Sequence, residues 1–281
     1  MKKILLTLLI SGYLINNPAL SYAGVPLNNL EGVGGIAFNP LAYTAGTDFD
    51  TDPAAQEQKF SPKSLIKKPQ FGAWYVNLDK VDVDWTSFGF ADTFFKRLEL
   101  SYGYETIAPN GKNIHKNNLG AKLLLIKENY QDLKFIPALS VGAVWKNASN
   151  VAVGIHDSGS DFYLVTTKLI NELPKPVLLS AGIISTKGRV TGVYGFDKDR
   201  NETFFGNIDI LPLKNVAVGF EYKQGARFKD FKNDNYWDAH VAWFVNKNIS
   251  LVAAYVDAGN HKSVSKTGLG NGFTVSAQYA F

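Results

Sequence analysis

The chain has 281 residues, a formal net charge of +4, no cysteine and 13% aromatic residues. The absence of cysteine excludes disulfides, thiolate metal sites and a cysteine nucleophile. A charge this close to balance argues against nucleic acid as a partner. The 25 glycines and the aromatic content favour a single all-β domain, because segments with helix-forming composition are scarce.

The N-terminal residues 1–23 have the features of a secretory signal peptide. Lys2 and Lys3 provide a basic start, an apolar stretch covers 4–15, and Ala23 offers a small residue at the cleavage site. The apolar stretch is shorter than the roughly 20 residues that a membrane-spanning helix needs. We therefore expect export through the Sec pathway, with removal of the signal peptide after Ala23.

The next segment, 24–69, lacks strand alternation. The glycine-rich "EGVGGIAFNPLAYTAGT" is followed by the acidic "DFDTDPAAQEQKFSPKS". It is interpreted as an additional strand, a periplasmic extension or a plug folded into a barrel lumen, and the even strand count derived below favours the last two. The "DFDTD" motif is interpreted as a solvated loop, since Pro53 and Lys59 replace the glycine and glutamate of a calcium loop.

Along the rest of the chain, apolar and polar residues alternate in short segments, as in strands with one apolar face. In the C-terminal "GFTVSAQYAF", every second residue from Phe273 to Phe281 is apolar. Each segment is about ten residues long, which suits a tilted strand that crosses a bilayer. Twelve strands are predicted, at 70–78, 82–90, 96–105, 117–128, 133–145, 160–170, 177–186, 203–212, 214–224, 236–246, 248–258 and 270–281.

The connections alternate in length. "ENYQD", "NELPKP", "LPLKN" and "NKN" are short, whereas "TIAPNGKNIHK", "KNASNVAVGIHDSG", "TKGRVTGVYGFDKDRNE", "QGARFKDFKNDN" and "AGNHKSVSKTGLG" are long and polar. Short turns on one side and long loops on the other are typical of outer-membrane barrels, and an even count places both barrel termini on the periplasmic side. The sequence therefore predicts an all-β, antiparallel up-and-down transmembrane β-barrel of twelve strands over 70–281.

A soluble β-sandwich would also alternate, but aromatic residues near strand ends favour the membrane barrel, where they form interfacial girdles. The candidates are Trp74, Trp85, Trp145, Trp237, Tyr255 and Tyr279. The outer face would then contact outer-membrane lipid and lipopolysaccharide. The last strand would pair with the first, and its terminal Phe281 would serve recognition by the barrel-assembly machinery.

Several strings resemble a proteobacterial family of exported proteins known as domain of unknown function number 3034. They are "NYWDAHVAWFVNKNISLVAAYVDAGN", "VGAVWKN", "DSGSDFYLVTTKL" and "LEGVGGIAFNPLAYTAG". The resemblance covers nearly the whole mature chain, although the loops and the surroundings of His156 depart from the family pattern. It implies an outer-membrane barrel and supplies no activity and no catalytic residues.

The functional prediction concerns the residues that line the lumen of the barrel. Charged residues of both signs are expected to line it and bind a small solute. His240 is within reach of a hydrogen bond with Asp238, and the favoured interpretation is a structural network in the lumen with Glu221 or Lys223 on the neighbouring strand. The predicted lining residues are Arg97, Glu99, Lys134, Lys168, Asp209, Glu221, Lys223, Asp238 and His240. We therefore predict a non-enzymatic narrow channel or solute-binding barrel, with a closed structural or surface-interaction barrel as the alternative.

Catalysis is not expected. A lipid-modifying enzyme would need a histidine and a serine whose side chains converge, and the adjacent His156, Asp157 and Ser158 have the composition of a turn instead. No cofactor or metal motif with the spacing such sites require is present in a supporting context.

Overall fold

The computed structural model describes residues 27–46, 69–79, 82–109, 111, 113–152, 154–259 and 267–281. The predicted signal peptide and the "DFDTD" motif lie outside the described residues. In the described part of the chain, no helix is long and apolar enough to cross a membrane.

Twelve antiparallel strands form one closed barrel in which each strand pairs with its neighbours in sequence and the last pairs with the first. The predicted strand count and the predicted closure are therefore confirmed. The strands are β1 (Gln70–Leu78), β2 (Val83–Phe94), β3 (Leu98–Pro109), β4 (Ile114–Ile126), β5 (Ala138–Ala148), β6 (Ser158–Ile170), β7 (Val177–Gly188), β8 (Phe196–Leu213), β9 (Val216–Lys223), β10 (Tyr236–Phe244), β11 (Ile249–Asp257) and β12 (Asn271–Ala280).

Strands β1 and β12 join the two ends of the sheet in a continuous register from Gln70 opposite Ala280 to Leu78 opposite Gly272. The chain end continues this pairing, because the amide of Phe281 donates to the carbonyl of Pro69 at 3.2 Å. Closure leaves no free sheet edge, which is what a sheet in a bilayer requires.

The connections lie at two ends of the barrel. We call the end with 95–97, 127–137, 171–176, 214–215 and 245–248 the short-turn end, and the opposite end the long-loop end. Three long loops proved shorter than predicted, because the strand pairs β3–β4, β5–β6 and β7–β8 continue into them. At the first of these, inward Ile107 and Ile114 are buried and directly opposite each other, which extends the alternation beyond the predicted strand ends.

The outer surface is apolar around the barrel, with exposed side chains such as Phe88, Ile183 and Phe204. Water would disfavour so large an apolar surface, whereas the hydrocarbon core of a bilayer accommodates it. Of the predicted girdle residues, Trp145, Tyr255 and Tyr279 face outward, and Trp237 packs on Tyr255 with 5.7 Å between ring centroids.

Trp74 and Trp85 contradict the girdle prediction, since both face the interior and are only 4% and 7% exposed. The error arises because aromatic side chains lie on both faces of these strands, with Phe71 outward on β1 and Phe88 outward on β2, so alternation alone does not identify the inward face. Inside the barrel, the indole N–H of Trp74 donates to the carbonyl of Asn28 at 2.7 Å. The two tryptophans therefore belong to the interior.

Candidate functional site

Residues 27–46, called the plug below, lie inside the barrel and are nearly all buried. The plug is anchored near the short-turn end at both of its ends. At one end, the amide of Asn28 donates to Gln278 Oε1 on β12 at 3.0 Å. At the other, the hydroxyl of Thr93 on β2 donates to the carbonyl of Ala45 at 2.6 Å.

Glycines allow the plug backbone to approach the barrel wall closely. Gly32 has a φ of +86°, a left-handed conformation that side chains disfavour. A Cβ at this position would overlap the carbonyl oxygen of Tyr102 on β3. On the wall, a Cβ at Gly89 would lie 2.7 Å from the Cα of Gly32. Plug and wall thus contact each other through backbone atoms at this point.

Glu31, next to Gly32, connects the plug to two wall lysines. Its Oε1 accepts from Lys116 Nζ at 3.4 Å and forms a shorter ion pair with Lys146 Nζ. Burial alone would raise the pKa of Glu31, but the positive charges of Lys146 and Lys116 lower it to about 2. Glu31 is therefore a carboxylate at neutral pH and holds the plug through charge-assisted hydrogen bonds.

Both lysines also have carboxylate partners on the wall itself. Lys116 pairs with Glu105 at 2.9 Å, and Lys146 pairs with Asp161 at 2.6 Å. Each of these wall charges is thus compensated without Glu31, as a buried ion requires. The wall can keep its own ion pairs whether or not the plug is seated.

A second ion pair holds the plug closer to the short-turn end. Glu99 on β3 pairs with Lys122 on β4 at 3.0 Å. Its two carboxylate oxygens accept from the plug amides of Gly34 at 2.9 Å and Ala45 at 2.7 Å, and Lys122 donates to the Gly34 carbonyl at 2.8 Å. Wall charges therefore satisfy plug backbone groups that have no sheet partner.

Glu221 on β9 binds the plug in the same way from another side of the barrel. Its carboxylate accepts from three consecutive plug amides, those of Ala37 at 2.9 Å, Phe38 at 3.0 Å and Asn39 at 3.3 Å. Successive N–H groups that converge on one anion form a backbone nest. The predicted lumen residue Glu221 thus serves the plug.

His240 on β10 joins two carboxylates on the inner wall. One ring nitrogen lies 2.7 Å from Asp238, a hydrogen bond that the sequence allowed, and the other lies 2.8 Å from Asp209. Asp209 and His240 flank Gly219 in one row across β8, β9 and β10. Gly219 carries no side chain, so the imidazole can extend across β9 to reach Asp209.

Of the nine predicted lining residues, six are buried on the inner wall. They are Glu99, Asp209, Glu221, Lys223, Asp238 and His240.

The other three predictions of lumen lining are wrong. Arg97 lies in a short turn, where it donates to the carbonyls of Leu124 and Leu125 at 3.0 Å. Lys134 is exposed in the β4–β5 connection. Lys168 shares the outward face of β6 with Phe162 and Leu164. It pairs at the rim with Glu128 at 3.0 Å, because a long basic side chain near a strand end can reach the polar boundary of the membrane.

Sequence reasoning missed most of the charges in the ion-pair network that joins the plug to the wall. They are Glu31, Glu105, Lys116, Lys122, Lys146 and Asp161. A signal existed for the lysines on β4, because Lys116, Asn118 and Lys122 occupy alternate positions on the face that carries Leu124. For Glu31, the glycine-rich segment around it offers no period from which its position could be inferred.

The interior is not uniformly charged. The inward side chains of β1, β11 and β12 are uncharged, and on β1 and β11 they include Trp74, Val76, Val252 and Val256. Two cavities adjoin the plug. One, of about 60 Å³, lies between the plug and the wall toward the short-turn end, and the other, of about 40 Å³, lies beyond Leu30 and Glu31 toward the long-loop end.

The loops close the long-loop end over the second cavity. Val190 and Thr191 have φ values of 48° and 56°, which are unfavourable for β-branched residues. Lys116 donates to the Thr191 carbonyl at 3.0 Å, and the Val190 amide donates to Asn233 at 3.2 Å. The 189–195 loop therefore contacts the same lysine that binds Glu31.

Within the described ranges, the remaining sequence motifs belong to the barrel wall and its loops. The carbonyls of His156 and Asp157 accept backbone hydrogen bonds from Phe196 and Ala148, and Ser158 begins β6. In the "DKDRNE" motif, Asp197 pairs with Arg189 at 2.5 Å. No group of three or more histidine, aspartate or glutamate side chains in this part of the chain is arranged to hold a metal ion.

The pH dependence of plug closure follows from Glu31. A carboxylate with a lowered pKa stabilises the seated plug fully above its ordinary pKa of 4.5, and this contribution is lost as the pH falls toward 2. We expect the open probability in planar bilayers to stay constant from about pH 8 to 5 and to rise below about pH 4. Glu31→Gln should lack the part of this rise that Glu31 causes; an unchanged rise in that variant would contradict the assignment.

The closed antiparallel barrel with an apolar outer face and an internal plug defines the class of outer-membrane β-barrels. Within that class, the chain belongs to the family described as protein of unknown function (DUF3034), whose sequence profile matches residues 24–278. The resemblance found in the sequence is thereby confirmed. A comparison with curated proteins gives no match.

Solved structures with a similar fold include the KdgM porin, with a TM-score of 0.52 and 13% identity over 75% of this chain and 99% of that chain. The Acinetobacter baumannii outer membrane protein Omp33 has a TM-score of 0.48 and 11% identity, covering 78% and 100%. The Salmonella typhi outer membrane phospholipase (OMPLA) has a TM-score of 0.42 and 11% identity, covering 80% and 94%. The KdgM likeness supports the fold.

Proposed function

We propose that this protein is a non-enzymatic transport barrel of the outer membrane, exported through the Sec pathway, in which the plug must shift before a small solute passes. The short-turn end faces the periplasm in this proposal, because both chain ends of the barrel lie there and the long loops face the surface. Movement of the plug, rather than deformation of the wall, opens the lumen.

The proposal rests on the contacts that hold the plug in the lumen. Its backbone groups bind wall side chains such as Glu99 and Glu221, and it adds no strand to the twelve-stranded sheet. Because Lys116 and Lys146 keep their wall carboxylates, the plug can leave while both buried lysines remain paired. Side-chain hydrogen bonds can also be replaced by water in an opened lumen.

The second candidate is a sealed barrel that serves as a structural or surface-interaction protein. The tight backbone contact between Gly32 and the wall favours it, since such packing excludes water. In this case the plug is a permanent core. Barrel assembly through the strand that ends at Phe281, and contact with lipopolysaccharide, are expected under either proposal.

A cross-link between plug and wall separates the two candidates. Ser140 Oγ donates to the Ala42 carbonyl at 2.6 Å, and the chain has no native cysteine. The double variant Ala42→Cys with Ser140→Cys is refolded into detergent with or without reductant and recorded in planar bilayers. If the plug moves, the disulfide should lower the open probability by roughly 100-fold relative to the reduced preparation.

The single variant Ser140→Cys is the matched control, and its open probability should not depend on reductant. Equal conductance in the oxidised and reduced double variant, with the disulfide verified by gel mobility, would refute plug movement. Absence of conductance in every preparation, and also after deletion of 27–46, would support the sealed barrel instead.

A further inference from the structure

The cavity toward the short-turn end combines apolar walls with one charged corner. The plug contributes Leu27, Ile36 and Leu41, and β8 to β11 contribute aliphatic and small side chains such as Leu211 and Ala242. The lining residues with a charged or imidazole side chain are Asp209 and His240. The uncharged polar side chains of the lining are Tyr43, Thr44 and Gln70. A solute with many polar groups would lose more hydration here than these few groups replace, so the walls select an apolar body.

The charged corner is acidic overall. His240 contacts both Asp209 and Asp238, so two carboxylates surround a single imidazole, and the net charge is negative even when the ring is protonated. A positive group on the solute would balance this charge, whereas an anion would be repelled.

Size further restricts the solute. The cavity holds about 60 Å³, less than half of the roughly 150 Å³ of an engineered cavity that binds benzene. This space therefore admits only a short alkyl group, with fewer atoms than a benzene ring. The second cavity, beyond the plug tip, is also lined by apolar side chains, including Val76, Trp85 and Leu269, so the apolar lining continues toward the other end of the barrel.

We propose that this cavity binds a small aliphatic amine, with the protonated amino group at Asp209 and the alkyl chain along the apolar wall. The proposal deepens the transport function and rests on it for its biological role. The binding site itself is testable without any conductance. Asp209 is a binding residue in this proposal, and His240 positions it through the 2.8 Å contact.

Calorimetric titration of the protein in lipid nanodiscs, with empty nanodiscs as the blank, tests the site. The probes are ethylammonium, ethanol and propanoate, which share the ethyl group and differ in the charge of the head group. We expect ethylammonium to bind about tenfold more tightly than ethanol, and propanoate to bind more weakly than either. Asp209→Asn should abolish the preference for the ammonium while retaining ethanol binding.

A second variant, Ala242→Phe, fills the cavity without altering a charge and should reduce binding of both ethylammonium and ethanol. Glu202→Gln, on the exposed outer side of β8, is the matched charge control and should bind as the wild type. Folding of each variant is verified by heat-modifiable migration on gels. No ammonium preference in the wild type, or the same preference in Asp209→Asn, would overturn the proposal.

These outcomes separate the binding site from the transport function. If the protein binds the ammonium probe but its cross-linked and reduced forms conduct equally, the binding site is supported and movement of the plug is refuted. If conductance depends on the plug but the ammonium probe does not bind, the transport function is supported and an amine as its solute is refuted.

Discussion

Gly32→Val is expected to unseat the plug while leaving the barrel folded. A side chain at this position overlaps the Tyr102 carbonyl, and the residue must hold a φ of +86°. Overlap with a fixed backbone atom and an unfavourable φ together cost about 3 kcal/mol or more, which changes the ratio of seated to unseated plug by roughly 100-fold. The open probability in planar bilayers should rise accordingly.

Gly154→Val is the matched control. Gly154 has a φ of +85°, nearly that of Gly32, but no described atom lies within 4 Å of a Cβ at this position. The control variant therefore carries the same backbone strain without the overlap, and its conductance should equal that of the wild type. Both variants should retain heat-modifiable migration. An equal conductance change in the two variants would attribute the effect to strain alone and contradict the seating contact.

The wall of the barrel was predictable because its contacts follow the local period of the chain. One side chain in two faces the interior on every strand, and neighbouring strands pair in sequence order. The limits of this reasoning lie at the strand ends. Lys134 was assigned to a strand that in fact begins at Ala138, and a shift of a few residues there changes a lumen position into an exposed turn.

The plug was not predictable in the same way, because its contacts depend on neither period nor proximity in sequence. Asn28 binds Gln278, 250 residues away, and its other anchors join backbone amides to single side chains on several strands. Such contacts leave no repeat in the sequence. The even strand count indicated only that the segment before β1 lies at the periplasmic side or in the lumen.

The ion pairs within the wall also determine which substitution can test the contact between Glu31 and the wall. Removing Lys146 would leave Asp161 buried without its cation and Glu31 with only its longer contact to Lys116, and the loss of a buried partner destabilises the whole barrel. Removing the charge of Glu31 leaves Lys116 with Glu105 and Lys146 with Asp161. Only the second change weakens the plug selectively.

Glu31→Gln should therefore open the channel without lowering the stability of the barrel. Glutamine keeps the shape of the side chain but loses its charge. Hydrogen bonds to a charged group contribute about 1.5–3 kcal/mol, so the open probability should rise roughly 10- to 100-fold. Glu202→Gln is the same exchange on the exposed outer side of β8 and should change nothing. A drop in the unfolding temperature of Glu31→Gln with unchanged conductance would mean that Glu31 stabilises the wall and not the seated plug.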